Sequence, residues 1–280
     1  MAKKYKFKIV VDSSSNLTKD YIKDEEVGFA IAPLTIRVDG KDYVDDGTID
    51  PKDLLQAVHS YEGKSTTSCP SPAVYEEAYE DAENVIVVTI SSKMSGSFNA
   101  AYVASIASED TRVHVVDSKG TAGSLVLIVD KAYELIKAGK SMDEIEEEIE
   151  AYNNSRHLLF VLNSFENLIK AGRMNKVVAF VATTIGIKPI CEAYEGEIKT
   201  AKKARTIKKA FITLKDMIAE RVTDYSQRQC IIAYCEGDEE SANFMKKLIE
   251  EAYNFKVVRT MPNTLLCSYY ALEGSLTVAF

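Results

Sequence analysis

Several signatures of catalytic and metal centres are missing from this chain. The three histidines, His59, His114 and His157, stand apart, and none has a His, Cys or carboxylate partner at a metal-ligand spacing. No G-x-S-x-G elbow is there to mount a serine nucleophile, and no G-x-x-x-x-G-K-[ST] loop to cradle phosphates. Asp12 follows a strand as phosphoryl-transfer aspartates do, but the expected second acid is absent and Ser14 stands in its place. The five cysteines, Cys69, Cys191, Cys230, Cys235 and Cys267, form no C-x-x-C pair and are odd in number, so reduced, packed thiols are expected. Cys69 is the exception, because it precedes an expected helix start that can lower a thiol pKa. No stretch approaches the ~20 apolar residues that span a bilayer. The first apolar run is stopped by Asp12, too early for a secretory signal. A formal net charge of -8 disfavours nucleic acid and anionic membrane surfaces as partners. These absences point to a cytoplasmic protein without metal or cofactor.

Small hydroxyl residues are present, and they are placed suggestively. Three apolar strands run straight into them. Lys8-Ile9-Val10-Val11 leads to Asp12-Ser13-Ser14-Ser15, and Val85 to Ile90 leads to Ser91-Ser92-Lys93-Met94-Ser95-Gly96-Ser97. Val113 to Val116 leads to Asp117-Ser118-Lys119-Gly120-Thr121. In an open parallel sheet the carboxyl ends of the strands gather on one edge, where ligands bind. Taken singly, each cluster reads as a helix N-cap. Together with Thr66-Thr67-Ser68-Cys69-Pro70-Ser71-Pro72, a loop stiffened by proline, they form a candidate polar socket. Ser95-Gly96-Ser97 at a helix start adds free amides for an anion.

The first half alternates strand and helix, which predicts a parallel sheet covered on both faces. Asp50-Pro51 and Ser71-Pro72 each open a helix, and Gly28 to Ile36 reads as one more apolar stretch. Met142 to Ile149 is an acidic amphipathic helix whose glutamates form a solvated face beside Ile145 and Ile149. The texture then changes. Leu158 to Leu162 is a strand, Ile185 to Ile190 and Glu195 to Thr200 read as adjacent strands about a turn at 192–196, and strand, helix and strand follow at 229–234, 239–252 and 256–260. The expected fold is α/β with two domains. Residues 1–157 form a parallel-sheet α/β/α sandwich, and residues 158–280 an α/β domain with a mixed or antiparallel sheet. The last segment is allowed to return to the cleft between them.

The chain resembles the DegV family of bacterial fatty-acid-binding proteins over nearly its whole length. The resemblance rests on Val11-Asp12-Ser13-Ser14, on Thr67-Ser68-Cys69-Pro70-Ser71-Pro72, on Ile90 to Ser97 and on Val116-Asp117-Ser118. It continues through Leu168-Ile169-Lys170-Ala171-Gly172-Arg173 and the ending Gly274 to Phe280. It implies a long-chain fatty acid, of about fourteen to eighteen carbons, buried between two domains, its tail carrying most of the affinity. It implies carboxylate recognition by Thr67 and Ser95, with Ser13, Ser68, Gly96, Ser97, Arg173 and Tyr270 nearby. It also implies a binding protein, not an enzyme, that presents the acid to the catalytic subunit of a fatty acid kinase. Two departures stand out. Cys69 replaces a frequent Gln, and Tyr270, Leu272 and Glu273 replace the His, Gly and Pro of a family His-x-Gly-Pro-Gly stretch.

Two competing readings use the same edge. One is a small-molecule hydrolase with Ser95 or Cys69 as nucleophile; the other is a lipid-responsive regulatory module. The basic run Lys199, Lys202, Lys203, Arg205, Lys208 and Lys209 reads either as solvated surface or as a docking patch for an acidic partner.

Overall fold

The computed structural model describes residues 4–174 and 186–280. The N-terminal domain opens with β1 (Tyr5–Asp12), a 3-10 turn (Ser13–Ser15), β2 (Val27–Ala32), β3 (Thr35–Val38) and β4 (Lys41–Val44). It continues through α1 (Pro51–Ser60), β5 (Thr66–Ser68), α2 (Pro72–Tyr79), β6 (Ala82–Thr89), α3 (Ser97–Ala107), β7 (Arg112–Asp117), α4 (Gly123–Lys137) and α5 (Met142–Ser155). The C-terminal part holds β8 (Leu158–Val161), α6 (Glu166–Lys170), β9 (Lys188–Tyr194), β10 (Glu197–Ala204), α7 (Ile207–Ile218) and β11 (Gln229–Tyr234). It ends with α8 (Glu239–Ala252), β12 (Val257–Pro262), α9 (Leu265–Ala271) and β13 (Leu276–Ala279).

Local chemistry explains where the helices start. Asp50 caps α1 by accepting from the amide of Lys52 at 2.9 Å, and Pro51 occupies the first helical position, where no amide partner is needed. Ser141 and Glu144 form a reciprocal capping box at the start of α5. Ile145 and Ile149 of α5 are fully buried, as its apolar stripe predicts.

The N-terminal sheet has the order β2-β1-β6-β7 and every pair is parallel, so the ends of β1, β6 and β7 share one edge. The C-terminal sheet has the order β10-β9-β8-β13-β11-β12 and is antiparallel except for β11 with β12. Helix α4 packs against β1 and β6 of one sheet and β11 and β13 of the other, and Leu125 to Val129 are all buried there. Gly123 permits this close approach: a Cβ on it would lie 2.8 Å from Cβ of Ile231 and 3.1 Å from Cβ of Ala279.

Three local expectations need correction. The apolar stretch from Gly28 to Ile36 is two strands, because Pro33 has no amide to continue a ladder. β3 leaves the parallel sheet and joins a small antiparallel sheet of order β4-β3-β5. Thr66–Ser68, read as a loop, is therefore a strand, with Thr67 in register with Ile36. The hairpin turn is also tighter than 192–196. It consists of Glu195 and Gly196, both at positive φ, as a two-residue hairpin requires. The start expected for that hairpin's first strand, Ile185, lies outside the described residues. Among the described residues no helix is long and apolar enough to cross a membrane.

The sheet edge is tied together by a buried carboxylate. Asp12, with no exposed surface, accepts from the amide of Ile90 at 2.8 Å and from the amide and hydroxyl of Ser14 at 3.1 and 2.5 Å. Burial raises its pKa to about 6 against these hydrogen bonds. The native state then binds more protons than the unfolded chain, whose aspartate titrates near ~3.9. The stability Asp12 contributes is full below about pH 4 and falls as pH rises to about 6. Asp12→Asn places an N–H against an N–H and is expected to cost about 2 kcal/mol. Urea unfolding at pH 4 and pH 7 checks both points: the gap between wild type and variant should be wider at pH 4, and a gap that widens toward pH 7 contradicts the assignment. A second expectation concerns Leu272, held at φ 56 and ψ 173 in backbone territory that favours glycine. Leu272→Gly should raise stability by about 1 kcal/mol in the same assay.

Candidate ligand-binding site

A cavity of about 270 Å³ opens between the edge of the parallel sheet and the mixed sheet. One side is built from Ile90, Met94 and Ser95, which follow β6, and from Thr121 and Ala122, which follow β7. The facing side is built from Leu158 and Phe160 of β8, Ile198 of β10 and Thr277 of β13. Helix α9 contributes Leu266, Cys267, Tyr270 and Ala271. The lining is predominantly apolar, and hydroxyls reach it from several separate elements.

Of the residues singled out from sequence, Thr67, Ser68, Ser95, Gly96, Arg173 and Tyr270 line this cavity together. Thr67 Oγ1 lies 2.8 Å from the phenol oxygen of Tyr270, and the positive charge of Arg173 acts on the same phenol. The strand β5 and the turn before α3 touch at Cys69 and Gly96, where a Cβ on residue 96 would sit 3.1 Å from Cys69 Sγ. The absence of a side chain at Gly96 is what lets the two hydroxyl elements converge. Helix α3 begins at Ser97, and Ser95 Oγ accepts from the Ser97 amide at 3.3 Å.

Ser13 and Ser97 do not line the cavity. Ser13 Oγ accepts from the amide of Leu34 at 3.0 Å. Ser97 is fully buried, and its hydroxyl lies 3.3 Å from that of Ser95. Most other edge hydroxyls are likewise internal ties: Ser92 is bonded to Asp117, and Ser91 donates to the carbonyl of Gly196 at 2.7 Å, joining the two halves of the chain. The hydroxyl clusters are thus mainly structural, and the polar socket is a smaller set drawn from β5, the turn before α3, and α9.

The charges around the cavity are unequal. Burial raises the pKa of Tyr270, while Thr67 and Arg173 act against that shift, so the phenol is a neutral donor near neutral pH. Burial pushes the Cys267 thiol up to about 12, which makes it an inert wall residue. Cys69 is exposed. Among the described residues no histidine lines the cavity, and neither Ser95 nor Cys69 has a hydrogen bond to a histidine or carboxylate that could act as its base. His59 lies instead 3.0 Å from Glu273, and His114 lies 3.5 Å from Glu150. No group of three His, Cys, Asp or Glu side chains suited to a metal ion occurs among the described residues.

Sequence reasoning missed two contributors. The first is Asp45, buried beneath α9, which accepts from the amides of Leu265 and Leu266 at 3.0 and 3.1 Å and from Thr264 Oγ1 at 3.1 Å. It aims Tyr270 from a position with no recognisable motif. The second is the apolar wall of β8. An unbroken run such as Leu158 to Leu162 signals a strand covered on both faces, and that was the available clue. The basic run divides on the surface: Lys199 sits 3.9 Å over the Tyr194 ring and Lys202 pairs with Glu220, whereas Lys203, Arg205 and Lys209 are exposed.

Known proteins align with this chain from end to end. A DegV domain-containing protein of Streptococcus pneumoniae is 32% identical over 279 residues, covering 98% of each chain. A DegV family protein of Ruminococcus gnavus, solved with vaccenic acid, superposes with a TM-score of 0.91 at 30% identity, over 99% of this chain and 100% of that one. The fatty acid kinase B3 protein of Streptococcus pneumoniae, loaded with linoleic acid, does so with a TM-score of 0.92 at 31% identity, over 100% and 99%. The family model described as an uncharacterised protein of the DegV family matches residues 6–280, and the chain belongs to that family.

Proposed function

We propose that this protein is a cytoplasmic carrier that binds a long-chain fatty acid in the cavity, with Thr67 and Ser95 holding the carboxylate. The dividing line between its two domains is taken at residues 157 and 158. One observation carries the reading: hydroxyls from strand β5 and from the turn before α3 line one cavity whose remaining walls are largely Leu, Ile, Phe and Met side chains. The bound acids of the R. gnavus and S. pneumoniae proteins support it.

The energetics divide the ligand in two. Each buried CH₂ contributes about 0.8 kcal/mol, so a tail of about fifteen carbons supplies on the order of 10 kcal/mol before ordering costs. The carboxylate is the liability, because a buried anion without partners is strongly unfavourable. With Tyr270 as donor to Thr67, the Thr67 proton is free for the ligand. Arg173, which lines the same cavity, adds positive charge beside the phenol, and one carboxylate oxygen stays available to a kinase subunit. Transfer of a phosphoryl group to that oxygen is assigned to the partner, and Lys203, Arg205 and Lys209 offer it an exposed basic surface.

Mass spectrometry of protein purified from its host and then denatured should release acids of about fourteen to eighteen carbons. Finding none, with no uptake of added oleate, contradicts the reading. Thr67→Ala with Ser95→Ala should weaken oleate binding about tenfold to a hundredfold while leaving methyl oleate nearly unaffected. Equal losses for both ligands would assign the two hydroxyls to the fold instead. Lys203→Glu, Arg205→Glu and Lys209→Glu together should leave oleate binding intact and slow its phosphorylation by a fatty acid kinase catalytic subunit. An unchanged rate removes the docking role.

A further inference from the structure

A second cavity, of about 290 Å³, lies behind the first. The wall between them is Leu158, which lines both, and the segment from Ser118 to Ser124. Thr121 and Ala122 of that segment face the first cavity, and Ser118, Lys119 and Ser124 face the second. The second cavity is the more polar, with Asn153, Asn154 and Arg156 from the end of α5 opposite the β9–β10 hairpin.

Arg156 is its unusual feature. Four arginines of the described chain are half-buried: Arg156, Arg221, Arg228 and Arg259. Three are matched by carboxylates, Arg221 with Glu192 at 2.6 Å, Arg228 with Asp224 at 2.7 Å, and Arg259 with Asp130. Arg156 has no such partner among the described residues. Its Nη2 donates to the carbonyl of Ser118 at 2.8 Å and to the side chain of Asn153, and its Nε is buried with no acceptor. The carbonyl end of α5 attracts a cation there, but it gives Nε no acceptor.

The surroundings add positive charge. Lys119 enters the same cavity with its Nζ 2.7 Å from Asn154 Oδ1, an amide and not a counterion. His157 also lines it, and its pKa is lowered first by burial and then by Arg221, Arg228 and Arg156. Glu195, on the hairpin turn, is the carboxylate among the lining residues. Two cations thus face one carboxylate in a half-enclosed polar space, and a half-buried guanidinium whose Nε lacks an acceptor is left without an anion. A phosphate group brings nearly two negative charges and several acceptor oxygens, which suits a guanidinium beside an ammonium. Ala193, Tyr194 and Leu158 leave apolar surface for the remainder of a small molecule.

We propose that this second cavity binds the phosphate group of a small phosphate monoester, with Arg156 and Lys119 as its cationic partners. The proposal stands independently of what fills the first cavity. Ribose 5-phosphate and inorganic phosphate serve as probes, titrated into the full chain at constant ionic strength against sodium chloride. Isothermal titration and melting temperature are read together. Saturable binding of ribose 5-phosphate, tighter than that of inorganic phosphate, is expected in the wild type. It should be lost in Arg156→Gln and weakened about tenfold in Lys119→Gln. If Arg156→Gln does not fold, Lys119→Gln carries the test, because the Lys119 side chain is exposed and its ammonium bonds Asn154 at the surface. No saturable binding, binding of inorganic phosphate alone, or affinity unchanged in Lys119→Gln overturns the proposal.

Discussion

The first cavity exists because the chain's last helix is gripped by polar groups from its first fifty residues. Asp45 accepts from two amides at the start of α9 and from the Thr264 hydroxyl. Asn16 accepts from the Thr264 amide at 3.0 Å and donates to Asn263 at 2.9 Å. Both are buried, so these bonds are made in surroundings where an unpaired group is expensive. The anchoring lets a short helix, which has little stability of its own, hold Leu266, Cys267 and Tyr270 against a cavity formed mostly by other elements. The same helix packs on α1 and β3, so the end of the chain closes over its beginning.

A consistent division of labour among polar groups follows. Carboxylates on the parallel-sheet edge serve the backbone. Asp12 binds the β6 end to the turn after β1, and Asp117 accepts from the amides of Ser92 and Lys119 at 3.1 and 2.9 Å. Neither lines the cavity, so the fold's own negative charge is kept off its walls. What remains for a ligand is neutral hydroxyls with a guanidinium behind them. Such a socket tolerates an acidic headgroup without competing with it, whereas a carboxylate on the wall would repel it.

Much of this was legible in the residues, and the part that was not has physical causes. The parallel sheet, the capped helices and the acidic amphipathic helix follow from patterns local to each segment, and local patterns survive folding. Asp50-Pro51 is an example. The hydroxyl clusters were overcounted, because a serine that caps a turn and a serine that faces a ligand have the same sequence context. Ser13 and Ser95 differ only in what tertiary structure places beside them, the Leu34 amide in one case and open space in the other. Asp45 was invisible for the converse reason. Its role comes from contacts more than two hundred residues away in sequence, and no spacing rule reaches that far.

Two departures from the family pattern lie near the C-terminus. Leu272 stands where the resemblance places a glycine and holds a glycine-like backbone, φ 56 and ψ 173. Tyr270 stands where the resemblance places a histidine and is locked between Thr67 and Arg173. An imidazole near its ordinary pKa of ~6.5 can carry charge, whereas a buried phenol in this pH range cannot. Among the described residues the cavity's polar groups then include hydroxyls and the Arg173 guanidinium, with no imidazole between them. A hydroxyl can donate or accept, whereas a guanidinium can only donate, so these groups suit an anion better than a group that must itself donate.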